Sequence, residues 1–150
     1  MSSEFGIIDL FAGPGGLGEG FSVAGREGGA RMKIRLSVEM EDNAVQTLRL
    51  RAFLRMFDGG FPPEYFDALN AGKPLPDWSE LYPVQWANAE QEVRQLELGK
   101  PGVFEEIAKV LDTTRERFRG KTILIGGPPC QAYSLAGRSR NKGKNDYIPE

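Results

Sequence analysis

Ile7-Ile8-Asp9-Leu10-Phe11-Ala12-Gly13-Pro14-Gly15-Gly16-Leu17-Gly18 is an apolar run that stops on a glycine-rich turn. Ile7, Ile8, Leu10 and Phe11 predict a buried strand. The glycines and Pro14 end it, because they supply backbone angles and a missing N–H that a ladder does not tolerate. Beyond the turn, Leu17, Phe21 and Ala24 recur at helical spacing, and Gly25 is the expected stop. A second unit follows. Ile34-Arg35-Leu36-Ser37-Val38-Glu39 alternates as a strand, and Asp42 or Asn43 is expected to cap a helix burying Val45, Leu48, Ala52 and Met56. Strand–helix units in succession predict an α/β fold with a mostly parallel sheet. Gly13, Gly15 and Gly18 satisfy G-x-G-x-x-G, and Glu39 closes the next strand about 20 residues later. Such a turn offers free N–H groups at a helix start, and the acid can accept from ribose hydroxyls. The pattern fits a dinucleotide, any adenosine-bearing cofactor, or a plain tight turn beside a solvated glutamate.

Residues 58 to about 100 interrupt the rhythm. Gly59, Gly60, Pro62, Pro63, Pro74 and Pro76 punctuate two short helices, expected around Glu64–Leu69 and Ser79–Glu92, with a short strand at Val93–Leu98. The segment reads as an insertion. After Pro101 a helix is expected with Phe104, Ile107, Ala108 and Leu111 on one face. Arg49, Arg51 and Arg55 read as the wet face of their own helix.

The helix leads to Ile123-Leu124-Ile125-Gly126-Gly127-Pro128-Pro129-Cys130-Gln131, which holds the only cysteine. Ile123, Leu124 and Ile125 predict another buried strand, and the paired glycines and prolines then display Cys130 on a stiff turn. Most free cysteines are small buried hydrophobes; this setting favours a nucleophile. One cysteine excludes an internal disulfide and fits a reducing compartment. Without histidine no Ser-His or Cys-His couple can form, and no metal site is expected. The net charge of −2 confines any nucleic-acid binding to local patches. The N-terminus lacks the features of a secretory signal, and no apolar run approaches the roughly 20 residues that span a bilayer. A cytoplasmic protein with no membrane contact is expected.

Together, Phe11-Ala12-Gly13-Pro14-Gly15-Gly16-Leu17 and Gly126-Gly127-Pro128-Pro129-Cys130-Gln131 resemble the first and fourth motifs of the DNA (cytosine-5)-methyltransferases, with Glu39-Met40 resembling the second. The resemblance implies a Rossmann-like, S-adenosylmethionine-dependent fold and methyl transfer to C5 of cytosine through a covalent cysteine–C6 adduct. It implies Cys130 as nucleophile. Phe11, Ala12, Gly13, Gly15, Gly16 and Pro128 would lie against the cofactor, Glu39 would hold the ribose, and Met40 would face the adenine. Glu97, in Leu96-Glu97-Leu98-Gly99, is the candidate for the adenine amino group. Gln131, Ser134, Arg138, Arg140 and Lys142 would meet double-stranded DNA in a basic loop that closes over it. The target base would be flipped from the stack.

The family's glutamate-asparagine-valine motif, later arginine motif, target-recognition domain and C-terminal helix have no counterpart in these residues. The expectation is therefore the N-terminal part of a catalytic domain, inactive alone. A second chain, or a cognate restriction endonuclease, would be its partner. The alternatives are an NAD-binding Rossmann dehydrogenase domain, which leaves Pro-Pro-Cys-Gln unexplained, and a non-catalytic cofactor- or DNA-binding module.

Overall fold

The computed structural model describes residues 3–128. The chain order is β1 (Glu4–Leu10), α1 (Gly16–Glu27), β2 (Arg31–Glu39), α2 (Asp42–Leu54), α3 (Pro63–Ala71), α4 (Trp78–Leu81), α5 (Pro83–Glu92), β3 (Val93–Gln95), α6 (Val103–Arg117) and β4 (Thr122–Gly126). The four strands form one all-parallel sheet in the order β3-β2-β1-β4. The chain steps outward from β1 to β3, then crosses back to lay β4 on the other side of β1. That reversal is the topological switch point of a Rossmann-like α/β sheet, and ligands of such sheets bind beside it at the carboxyl ends of the strands.

Two cores flank the sheet. On one side Val45, Leu48, Ala52 and Phe53 of α2 pack with Trp78, Ala89 and Val93. Phe53 is the hub, with the rings of Phe57, Trp78, Tyr82 and Trp86 centred 4.9 to 5.8 Å from its own. Each such aromatic pair adds about 0.5–1.5 kcal/mol beyond its buried area, so the inserted helices fold onto α2 rather than hang from it. On the other side Ile8, Leu36 and Val38 meet Ile107, Val110 and Leu111 of α6. Gly6 lets α6 come close, since a Cβ there would run into Thr114 and Phe118.

Several expectations need correction. In α1 the residues against the sheet are Gly18 and Gly25, packed on Ile34 and Met32, while Leu17 and Ala24 are exposed and the helix runs past Gly25 to Glu27. The helix docks through missing side chains, which a hydrophobic pattern cannot register. Phe11 lies outside β1 in a left-handed conformation, φ 57°. The cap of α2 is Glu41, whose carboxylate accepts from the Ala44 N–H at 2.8 Å, and Met56 falls beyond the helix, half-buried. The helix expected at Ser79–Glu92 is divided at Pro83, which has no N–H to continue α4 but suits the first turn of α5. β3 is shorter than expected, ending at Gln95. Phe104 is 78% exposed, because α6 turns Val103 and Thr114 inward instead, with Phe118 buried just past its end. Leu124 is 61% exposed, since β4 has a neighbour on only one side among the described residues. Arg55 is no wet-face residue: it is largely buried and ion-paired to both Glu19 of α1 and Glu92 of α5. Among the described residues no helix is long and apolar enough to cross a membrane.

Candidate functional site

A parallel sheet puts every strand's carboxyl end on one edge, and there the predicted residues gather. The loop after β1 carries Phe11 to Gly15, the end of β2 carries Glu39 and Met40, the segment after β3 carries Glu97, and β4 delivers Gly127 and Pro128. Leu10 pairs with Gly126 at the last register position of β1 and β4. Gly126 permits this, because a Cβ there would collide with the Leu10 carbonyl. The glycine loop and the segment leading to the cysteine are therefore neighbours by register.

The loop is held by Glu39. Its Oε2 accepts the Gly13 N–H at 2.8 Å, while Oε1 accepts the N–H groups of Met40 at 2.8 Å and Glu41 at 2.9 Å. Each carboxylate oxygen has two lone-pair sites. Oε1 is thus filled, and Oε2 takes one bond of its possible two among the described residues. Ala12 is buried and joins the frame through its N–H to the Val38 carbonyl and its own carbonyl to the Gly15 N–H, both at 3.0 Å.

The loop's glycines divide their tasks. Gly13 has φ 55° and Gly15 φ 90°, angles that disfavour a side chain. At Gly15 a Cβ would lie 2.6 Å from Leu48, so the loop sits tightly on α2. At Gly13 and Gly16 nothing would lie within 4 Å, which leaves their backbone open to a ligand. Phe11 holds its strained angle beside them and is 38% exposed. Positive φ in a bulky residue is costly and concentrates at ligand sites.

Next to the loop, Met40, Glu41, Gln95, Leu96 and Glu97 line an open groove. Met40 is 64% exposed there, and Gln95 Nε2 donates to its carbonyl at 3.3 Å. Glu97 is exposed and lies 3.6 Å from Lys100. These groups suit an adenosine ligand: a flat apolar contact at Met40, a hydroxyl acceptor at Glu39, and an amine acceptor at Glu97. Pro128 is exposed at the same edge. Cys130, Gln131, Ser134, Arg138, Arg140 and Lys142 lie outside the described residues.

One feature of the site has no place in the motif reading. Asp9, on β1 directly before Leu10, is 1% exposed, and neither carboxylate oxygen has a hydrogen-bond partner among the described residues. Burial pushes its carboxyl up from 3.8 to about 6. Its register partner on β2 is Ser37, also buried with an unpartnered hydroxyl. The signal in the sequence was an acid within an otherwise apolar strand.

Compared with known proteins, the chain is similar to type II methyltransferase M.Bpa9945I of Bacillus paralicheniformis, with 31% identity over 152 residues that cover 91% of this chain and 33% of that protein. It is 24% identical over 156 residues to M.MjaORF1200P of Methanocaldococcus jannaschii, whose name gives a type II methyltransferase assignment in provisional form; the match covers 95% of this chain and 40% of that protein. The chain thus spans between a third and two fifths of the length of these curated relatives. No family model matches it, and no solved structure does.

Proposed function

We propose that this chain carries the cofactor and nucleophile portion of a DNA methyltransferase that transfers a methyl group from S-adenosylmethionine to C5 of cytosine, within a restriction-modification system. The observation that carries the reading is the pairing of Leu10 with Gly126 at the switch point. It sets the glycine loop beside the strand whose continuation is Gly127-Pro128-Pro129-Cys130-Gln131. The relatives' names support methyl transfer, and the cysteine chemistry supports the cytosine-5 class.

Bound at this edge, S-adenosylmethionine would supply an electrophilic methyl on a sulfonium. Phe11, Gly13 and Gly16 would receive its amino-acid and adenosine portions, Glu39 Oε2 its ribose, and Met40 and Glu97 its adenine. The thiolate of Cys130 adds to C6 of a flipped cytosine and breaks the ring's conjugation, which makes C5 nucleophilic. After methylation, loss of the C5 proton and departure of the thiolate restore the ring. A Cys130 thiolate held at the same sheet edge as the donor would have the positioning that such a reaction needs. Arg138, Arg140 and Lys142, with Ser134 and Gln131, would contact double-stranded DNA. A cytoplasmic location fits this activity.

Calorimetry with S-adenosylmethionine and with NAD, followed by nucleoside analysis of DNA treated with the full-length protein, tests the reading. Binding of the first ligand alone and appearance of 5-methylcytosine are expected. N4-methylcytosine or N6-methyladenine as product would overturn the cytosine-5 assignment, and preference for NAD would overturn the methyltransferase.

A further inference from the structure

β3 is short because of what comes before it. α5 runs to Glu92 and β3 begins at Val93, with no loop between them. The strand therefore joins β2 level with Ser37, and the pairing ends at Glu39. Along residues 31–36 the outer side of β2 has no strand beside it among the described residues. A cleft of about 630 Å³ lies there. Five consecutive residues of β2, 31 to 35, line it. Successive side chains point to opposite faces of a sheet, so a strand shows both to one space only along an unpaired edge. Ser22 of α1, Ala52 of α2 and Glu92 of α5 supply the walls.

This edge is cationic. Arg31, Lys33 and Arg35 recur at alternate positions, and Arg55 stands in the wall. Lys33 lies 3.2 Å from Glu4, and Arg55 is engaged by Glu19 and Glu92. Arg35 differs from both. Ile7 pairs with Ile34 and Ile8 with Leu36, so Arg35 is the extra residue of a β-bulge, a device that re-aims a side chain. Its Nε is buried with no acceptor among the described residues. Buried donors are rarely left so, and each case calls for an explanation. Bulges and edge charges also blunt an open edge, and three cations bar a second copy of this strand from lying alongside. A merely blunted edge would send its cations to solvent, whereas Arg35 buries its Nε beside the cleft. A strand of opposite charge is not barred.

We propose that this slot receives an extended, acidic segment of a partner protein, added to β2 as a further strand with its carboxylates on Arg31 and Arg35. In such additions backbone pairing along the open edge gives affinity, and side chains at alternate positions give specificity. Five residues at about 3.3 Å each make an edge of roughly 16 Å, the length of an ordinary strand. The slot lies along the amino-terminal half of β2, whereas the glycine loop and Glu39 lie at the carboxyl edge. The partner is thereby tethered without covering the candidate cofactor site.

The test uses the full-length protein and a fluorescein-labelled nonapeptide of alternating glutamate and valine, followed by anisotropy and by amide hydrogen exchange. Saturable binding at one site is expected, with slowed exchange in residues 31–36. Arg35→Gln and Arg31→Glu should each weaken it roughly tenfold or more, as the loss of one charged hydrogen bond requires. Arg31→Glu, at the exposed end of the slot, keeps the question measurable if Arg35→Gln does not fold. A lysine–valine peptide should not bind. Nor should the acidic peptide with proline in place of its central valines, which lacks the N–H groups for pairing. No binding of the acidic peptide, no protection of residues 31–36, or unaltered affinity in either folded variant overturns the proposal. Equal binding of the proline peptide would mean that charge alone holds the ligand, which also overturns it. Displacement of the peptide by inorganic phosphate or by a DNA duplex, at constant ionic strength, would make the cleft an anion or nucleic-acid site and overturn it as well.

Discussion

Replacing Glu39 by glutamine removes one charge and almost no volume, so it isolates the carboxylate's hold on the loop. The side chain bridges 26 residues of sequence to reach the Gly13 N–H, a partly buried bond. Glutamine can offer a carbonyl to only one side. With that oxygen turned to the Met40 and Glu41 N–H groups, its amide would point donor against donor at Gly13. A hydrogen bond to a charged acceptor is worth about 1.5–3 kcal/mol, and about 1.4 kcal/mol is a tenfold change in affinity. The two bonds to Met40 and Glu41 are solvent-exposed and contribute less. Glu39→Gln should therefore weaken S-adenosylhomocysteine binding by roughly 10- to 100-fold, and Glu39→Ala, which also frees the loop and loses the ribose acceptor, by more. Isothermal calorimetry measures both, with a melting curve to register the loosened loop. Affinity within twofold of wild type for Glu39→Gln would refute the clamp and place the loop's support elsewhere.

Other outcomes follow from the same structure. Asp9→Asn should raise stability at pH 8 by roughly 1–3 kcal/mol. The sign is fixed: a carboxyl whose folded value is raised from 3.8 to about 6 stabilises the fold below about pH 4, and that contribution is lost as pH rises to 6. Urea unfolding at pH 4 and pH 8 checks it; an equal effect at both would contradict the shift. Gly126→Ala should destabilise the fold by about 1–3 kcal/mol by overpacking, and should weaken cofactor binding, because its Cβ forces β4 away from the Leu10 carbonyl. A neutral result in thermal unfolding would show that β1 and β4 are not so close. Arg55→Met leaves the half-buried Glu19 and Glu92 without their cation, and should cost about 1–3 kcal/mol, less than the loss of a fully buried pair. Denaturant titration decides, and a loss under 1 kcal/mol would mean that the pair is well solvated.

The parallel sheet, and the gathering of the candidate residues at its carboxyl edge, were legible because both are written in local patterns. An apolar run, a glycine turn and an acid at the next strand's end each have a short-range cause, and Gly13, Glu39 and Met40 stand where those causes put them. What was not legible depends on contacts between distant residues. The docking of α1 through Gly18 and Gly25 is a pattern of absence. The burial of Arg55 needs Glu19 and Glu92, brought from two other helices. The exposure of Leu124 follows from the place of β4 in the strand order, which its own apolar sequence does not encode. The break at Pro83 was available in the sequence, and the longer helical pattern around it obscured it. Asp9 was visible as an acid in an apolar strand, but its isolation becomes evident only when neither carboxylate oxygen finds a partner among the described residues.

The central claim is that the glycine loop and Cys130 serve one reaction at C5 of cytosine. The most direct measurement uses a DNA duplex in which the target cytosine carries fluorine at C5, incubated with the full-length protein and S-adenosylmethionine. Fluorine in place of the C5 proton blocks the elimination, so a thiolate that has added to C6 stays attached. The account predicts a denaturant-stable protein–DNA complex that requires the cofactor, maps by mass spectrometry to Cys130, and is absent in Cys130→Ala. Methyl transfer to DNA with no such complex, or with undiminished turnover in Cys130→Ala, would contradict it.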